Sequence, residues 1–186
     1  MTQSTQSTQA EAIRSCGREL REIVDGADGD PTRALPEFVA VVQRLLDQKD
    51  LLDVGMPRHG VHVSKSRVLF YEPELIIFSG SHHVPWTVEA HNHGAWVATA
   101  LYAGTITQQS YRSVHQDDGG VARLEVVEDM ELQPGDVCVC PPPPHDIHAL
   151  TSSTGSDMLV IAGGTFSDLR RYYHVDSGTY EERLGA

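Results

Sequence analysis

Two hydrophobic periods divide the chain. In the first fifty residues apolar side chains recur at helical spacing: Ile13, Cys16, Leu20, Ile23 and Val24, then Phe38, Val42, Leu45 and Leu46. Such a stripe belongs to an α-helix with one buried face. It predicts helices over Ala10–Asp25, stopped by Gly26, and over Ala34–Lys49, with Gly55-Met-Pro57 closing the segment. Residues 28–31, Asp-Gly-Asp-Pro, are a loop between them. Both stripes are expected to pack against a sheet that follows, not to bind a partner.

From His59 onward the pattern shortens to strand-like runs separated by turn residues, the rhythm of an all-β sandwich or barrel. The runs are Val61–Tyr71, Leu75–Ser79, Thr87–Ala90, Ala95–Ala103, Thr105–Arg112, Ala122–Glu128, Val137–Cys140, Ile147–Thr151, Met158–Ala162 and Arg171–Val175. Ala103-Gly104 and Asp117-Asp-Gly-Gly120 read as hairpin turns. Gln133-Pro-Gly-Asp136 has Pro and Gly where a type II turn wants them. The expected organisation is a disordered tail over 1–9, where Thr-Gln-Ser repeats, helices over 10–55 and one β-domain over 56–186.

Composition narrows the function classes. A chain of 186 residues that is 40% apolar fits one domain with a real core. A net charge of −12 argues against nucleic acid or an anionic membrane as main partner, since both demand a basic face. No run approaches the ~20 apolar residues of a membrane span, and the polar N-terminus has no signal-peptide core. Cys16, Cys138 and Cys140 are odd in number and lack framework spacing. They predict a reducing, cytoplasmic setting without disulfides.

Ten histidines are many for this length. In His91-Asn-His93 the two rings would project side by side from a strand. Two neutral imidazoles converging on one point make a metal corner. A third ligand is offered after the Pro-Gly turn, in Cys140-Pro-Pro-Pro-Pro-His145-Asp-Ile-His148-Ala-Leu150, by either His145 or His148.

His91-x-His93, Gly104, the Pro-Gly-Asp turn and Ile147-His148-Ala-Leu150 together resemble the two motifs of the cupins, over residues 85–151. Three pieces resemble more narrowly the cysteine dioxygenase and small thiol dioxygenase-like cupins, over residues 60–175. They are His91-x-His93-Gly-x-Trp96, Ile147-His148-x-Leu150 and Gly163-Gly164-Thr-Phe166. The resemblance implies a mostly β fold, the cupin double-stranded β-helix or jelly-roll barrel, carrying two N-terminal helices. It selects His148 as third ligand and leaves His145 on the rim or just behind the ligands. His82 and His83 are expected as exposed loop residues, and His59, His62, His115 and His174 have no assigned role.

The usual first cupin motif carries a glutamate four residues after its second histidine; here that residue is Val97. Two histidines and a carboxylate leave Fe(II) with one net positive charge. Three histidines leave two. Such a site favours an anionic ligand bound directly, and metal binding deprotonates a thiol. The expected cofactor is one divalent transition metal, Fe(II) first, with Ni(II), copper and zinc also suited to three imidazoles. The implied activity is O2-dependent oxidation of cysteine or a related small thiol.

The family's early-strand arginine, which holds the substrate carboxylate, matches Arg67, with Arg112 as runner-up; Trp96 and Tyr111 are expected to wall the pocket. The family's Ser-x-His-x-Tyr relay is missing: Met158, Val160 and Ala162 stand there. The cross-linking cysteine is missing too, its strand offering Trp96, Val97 and Ala98. These departures allow an atypical product, with Tyr172 or Tyr173 as substitutes for the relay tyrosine. The rival reading is a non-catalytic, metal-dependent binding or sensor module; an isomerase or hydrolase would be expected to keep the carboxylate. The resemblance leaves a homodimer open.

Overall fold

The computed structural model describes residues 3–58, 65–163 and 169–184. Its helices are α1 (Gln3–Gly26) and α2 (Leu35–Leu46). The strands are β1 (Met56–Pro57), β2 (Lys65–Glu72), β3 (Leu75–His82), β4 (Trp86–His91), β5 (Trp96–Gly104), β6 (Ile106–Gln116), β7 (Ala122–Leu132), β8 (Val137–Cys140), β9 (Ile147–Ser152), β10 (Ser156–Gly163), β11 (Leu169–His174) and β12 (Thr179–Leu184).

The strands form two six-stranded sheets, in the orders β1-β2-β3-β10-β5-β8 and β12-β11-β4-β9-β6-β7, with antiparallel pairing throughout. Their central eight strands, β3-β10-β5-β8 over β4-β9-β6-β7, have the order of a jelly roll. Alternation along each strand sorts the side chains into an interior and two outer faces. Leu101, Cys138 and Met158 of the first sheet meet Ile106, Leu132 and Leu150 of the second inside the barrel. On the outer face of the first sheet, Leu75, Ile77, Trp96, Ala98, Ala100, Leu159 and Ile161 pack under Leu20 of α1 and Phe38, Val42 and Leu45 of α2. Leu20, Phe38 and Leu45 are almost wholly buried, each contributing about 1.5–3 kcal/mol of transfer free energy.

The structure departs from sequence expectation at several points. The Thr-Gln-Ser repeat is not a disordered tail from residue 3 on, because α1 begins at Gln3. Adding a turn to an existing helix needs no new nucleus, and the Gln9 side-chain amide donates to the Lys49 carbonyl. β12 was not predicted: Thr-Tyr-Glu-Glu-Arg-Leu is half-exposed to exposed throughout and shows no apolar alternation. Positions 61–64 of the run Val61–Tyr71, with His59 and His62, lie outside the described residues, as do Gly164, Thr165 and Phe166. Gly104 does not close a hairpin, because β5 and β6 belong to different sheets. It crosses between them at φ +86°, where a Cβ would lie 2.4 Å from the Gly155 carbonyl oxygen. The Asp117–Gly120 hairpin does form, its Asp117 carboxylate accepting from the Gly119 and Val121 amides. All three cysteines are free and buried. Among the described residues no helix is long and apolar enough to cross a membrane.

Candidate metal centre

His91 is the last residue of β4, and His93 lies in the turn just beyond it. His148 is the second residue of β9 and the cross-strand partner of His91. The three rings are 4–6% exposed or less, and their centroids stand 4.5–5.0 Å apart. One ligand atom from each lies within 4.8 Å of the others. His145 is exposed, so the structure gathers His148 and leaves His145 outside the cluster.

Each ring is held by identifiable contacts. His91 Nδ1 lies 2.8 Å from the Glu89 carbonyl oxygen. A carbonyl only accepts, so Nδ1 carries the proton and Nε2 keeps its lone pair. The buried Asp146 carboxylate accepts from the amides of His93, at 3.0 Å, and Gly94, at 2.7 Å. It thereby fixes the turn that presents His93, where Gly94 takes φ +70°. The Asn92 side-chain oxygen accepts from the Arg171 amide, and the Arg171 carbonyl accepts from Asn92 N. These bonds dock β11 on the turn. Tyr172 of β11 then stacks on His91, with centroids 5.5 Å apart and planes at 16°. Arg183 lies over the Tyr172 ring at 3.8 Å and pairs with Glu89.

The donor set fits a divalent transition metal. His93 Nε2 and His148 Nε2 are 3.0 Å apart, the separation of two cis ligands at right angles with metal–nitrogen bonds of about 2.1 Å. Burial is the main reason all three rings stay neutral, as ligation requires. It brings His91 to about 4 and holds His93 and His148 well below the ordinary value. The positive charge of Arg170 adds to the effect on all three. Burial pushes the Cys138 thiol up to about 12 and raises Cys140 as well, so neither offers a thiolate.

Val97 faces the interior as the second residue of β5, with Cys140 and Ala162 as cross-strand partners. Met158, Val160 and Ala162 share the interior face of β10, because Leu159 and Ile161 point to the helices. The interior face of β10 is therefore apolar.

The structure does not bring the expected substrate residues to this centre. Arg67 pairs in register with Ser79, on the helix side of β3, and its Nη1 donates to the Gly55 carbonyl. Trp96 packs outward, edge-on to Phe38 at 5.5 Å. Tyr111 lies on the outer face of the second sheet with Ala90 and Ile147, its hydroxyl donating to Gln109. Arg112 is exposed and paired with Glu125. His82 is not an exposed loop residue: it ends β3, buried against Trp86, at the opposite end of the barrel. Tyr173 packs outward with Ala122, leaving Tyr172 beside the ligands. Sequence reading missed Asp146, Asn92 and Arg170. Asp146 alone left a signal, an acid enclosed between His145 and His148.

No family model matches the chain, and neither does any curated protein. Solved structures similar to it include an RmlC-like cupin from Shewanella frigidimarina, at 16% identity over 61% of this chain and 86% of that one, TM-score 0.45. A cupin superfamily protein from Desulfitobacterium hafniense matches at 17% identity over 60% and 97%, TM-score 0.41. A hydroquinone 1,2-dioxygenase from a Sphingomonas species matches at 11% identity over 56% and 68%, TM-score 0.44. These likenesses are distant, all three under 25% identity.

Proposed function

We propose that the chain is a metal-dependent oxidoreductase that uses O2 to oxidise cysteine or a related small thiol at a three-histidine centre. The observation that carries this reading is the buried cluster of His91, His93 and His148, with Val97 where a fourth, anionic ligand would stand. A divalent metal held there, Fe(II) by expectation, would supply Lewis acidity toward a thiol and redox activity toward dioxygen. Among the described residues the protein contributes neutral donors and no carboxylate ligand, and hence a preference for an anionic sulfur ligand. For full dioxygenation the balance is RSH + O2 → RSO2⁻ + H⁺, sulfur supplying the electrons and both oxygen atoms ending on it.

Asp146 and the Glu89 carbonyl keep two of the three rings aimed. The apolar wall of Met158, Val160 and Ala162 excludes water and offers no proton carrier. Tyr172 is the proton-bearing side chain stacked directly on a ligand, so proton management differs from a Ser-His-Tyr relay and the product oxidation level is open to change. Three free thiols suit the reducing compartment that a small-thiol substrate implies.

Oxygen uptake by iron-loaded protein with a panel of small thiols tests the reading. Uptake with at least one thiol is expected, and His91→Ala is expected to lose both bound metal and uptake. Full metal occupancy with no uptake for any thiol would overturn the oxidase reading and favour a binding module. Retention of metal by His91→Ala would overturn the ligand set.

A further inference from the structure

The helix face of the first sheet carries a cleft of about 210 Å³, separated from the metal centre by the sheet itself. Arg21, Val24 and Asp25 of α1 line it on one side, and Glu74, Leu75 and Trp96 on the other. We propose that this cleft binds a small organic cation with a short apolar stem and a neutral oxygen acceptor, the acceptor bonding to the Trp96 indole N–H.

An unpaired donor marks the floor. Trp96 is 1% exposed, and among the described residues its Nε1 has no hydrogen-bond partner. Buried N–H groups without an acceptor are costly and rare. The other tryptophan, Trp86, donates from its Nε1 to Ser156 Oγ at 3.2 Å. Register shows where the Trp96 donor is turned. Trp96, Gly163 and Leu75 form one row across β5, β10 and β3. The indole edge that bears Nε1 lies over Gly163, where a Cβ would stand 2.5 Å from Cε2 and 2.7 Å from Nε1. Glycine leaves room for that edge. The N–H is thus turned from β5 toward β3, where Leu75 and the cleft lie. Phe38, packed edge-on to the ring, holds it there.

Charge at the mouth sets the sign of the ligand. Arg21 is engaged by three carboxylates, Asp25 at 3.2 Å, Glu74 at 3.3 Å and Glu72 at 3.5 Å. One guanidinium against three carboxylates leaves the rim negative, and the side chains of Asp25 and Glu74 are largely exposed. Between rim and floor the wall is apolar, made by Val24 and Leu75. An ammonium at the rim, methylene groups along the wall and a carbonyl oxygen at Nε1 match these features in turn. The rim repels an anion, and an amine without an acceptor leaves Nε1 unpaired.

N-acetylputrescine has all three features and serves as the probe. Hexylamine lacks the acceptor, N-butylacetamide lacks the cation, and N-acetyl-γ-aminobutyrate replaces the cation with an anion. Each is titrated into isotope-labelled, zinc-loaded protein while the two indole N–H signals are followed by NMR, assigned with Trp86→Phe. N-acetylputrescine is expected to move the Trp96 signal downfield to saturation and to leave the Trp86 signal in place. Hexylamine is expected to bind about 3- to 10-fold more weakly, the scale of one neutral hydrogen bond. Glu74→Gln, at an exposed side chain, is expected to weaken N-acetylputrescine by about 2- to 5-fold and to leave N-butylacetamide unchanged. No saturable movement of the Trp96 signal with N-acetylputrescine would overturn the proposal. So would equal binding of hexylamine, which would deny the indole its role, or of N-acetyl-γ-aminobutyrate, which would deny the rim its sign. These readouts involve neither turnover nor a thiol, so the cleft stands or falls apart from the thiol reading of the metal centre.

Discussion

The residue at position 97 sets the charge of the centre more than any ligand does. Its side chain is 2% exposed and faces the interior between Cys140 and Ala162. A carboxylate there would be buried, with the uncharged Cys140 and Ala162 as its cross-strand neighbours. Val97→Glu is therefore expected to cost the metal-free protein about 2–4 kcal/mol, the range for burying an unpaired polar or ionisable group. Metal should restore most of that loss, because the new carboxylate becomes a fourth ligand and the centre drops to one net charge. Thermal melts with and without metal measure the first effect, and anaerobic cysteamine binding, expected to weaken, measures the second. A Val97→Glu protein equally destabilised with and without metal would show that position 97 does not face the ligands.

At the scale of elements, β10 joins the two faces of the first sheet. Its interior side walls the centre, and its last residue, Gly163, pairs with Trp96 across the ladder. A Cβ at Gly163 would stand 2.3 Å from the indole ring, which Phe38 holds edge-on under the helices. Glycine normally weakens a strand, so alanine there should help if nothing intervened. Here Gly163→Ala is expected to destabilise by about 1–3 kcal/mol, the cost of overpacking a filled core, read as a lower urea midpoint at unchanged slope. A neutral or higher midpoint would mean that Trp96 can shift. The same elements show what sequence could reveal. Ten strands were legible because alternation is a local signal, and the candidate ligands were legible because each motif lies within a few residues. Trp96, Arg67 and Tyr111 were misplaced because the face a side chain takes depends on where its strand starts and on bulges, such as those after Val68 and Ser110. Arg170 was invisible because its nearness to His93 requires β11 to dock on β4, a pairing nearly eighty residues apart in the chain.

For the whole molecule, three buried neutral histidines couple folding to protons and to metal. In the unfolded chain each titrates near its ordinary value of 6.5; folded, burial brings His91 to about 4 and holds His93 and His148 well below the ordinary value. Between those values the unfolded state binds more protons, so stability rises with pH. The metal-free protein should hold steady above about pH 7 and lose stability as pH falls through 6.5 toward 4. The loss on His91 alone would reach a few kcal/mol. Metal adds about 2.7 kcal/mol at a hundredfold excess over its dissociation constant, and this gain should also shrink in acid, where protons compete for the imidazoles. Urea midpoints of chelated and metal-loaded protein between pH 7.5 and 5.0 check this, in a window that ends before most carboxylates titrate. The chelated midpoint should fall steadily below pH 6.5, and His148→Gln, which removes one titrating ring, should fall less steeply. A chelated midpoint constant from pH 7.5 to 5.0 would mean that water reaches the rings without unfolding, and the centre would then be an open site instead of a sealed one.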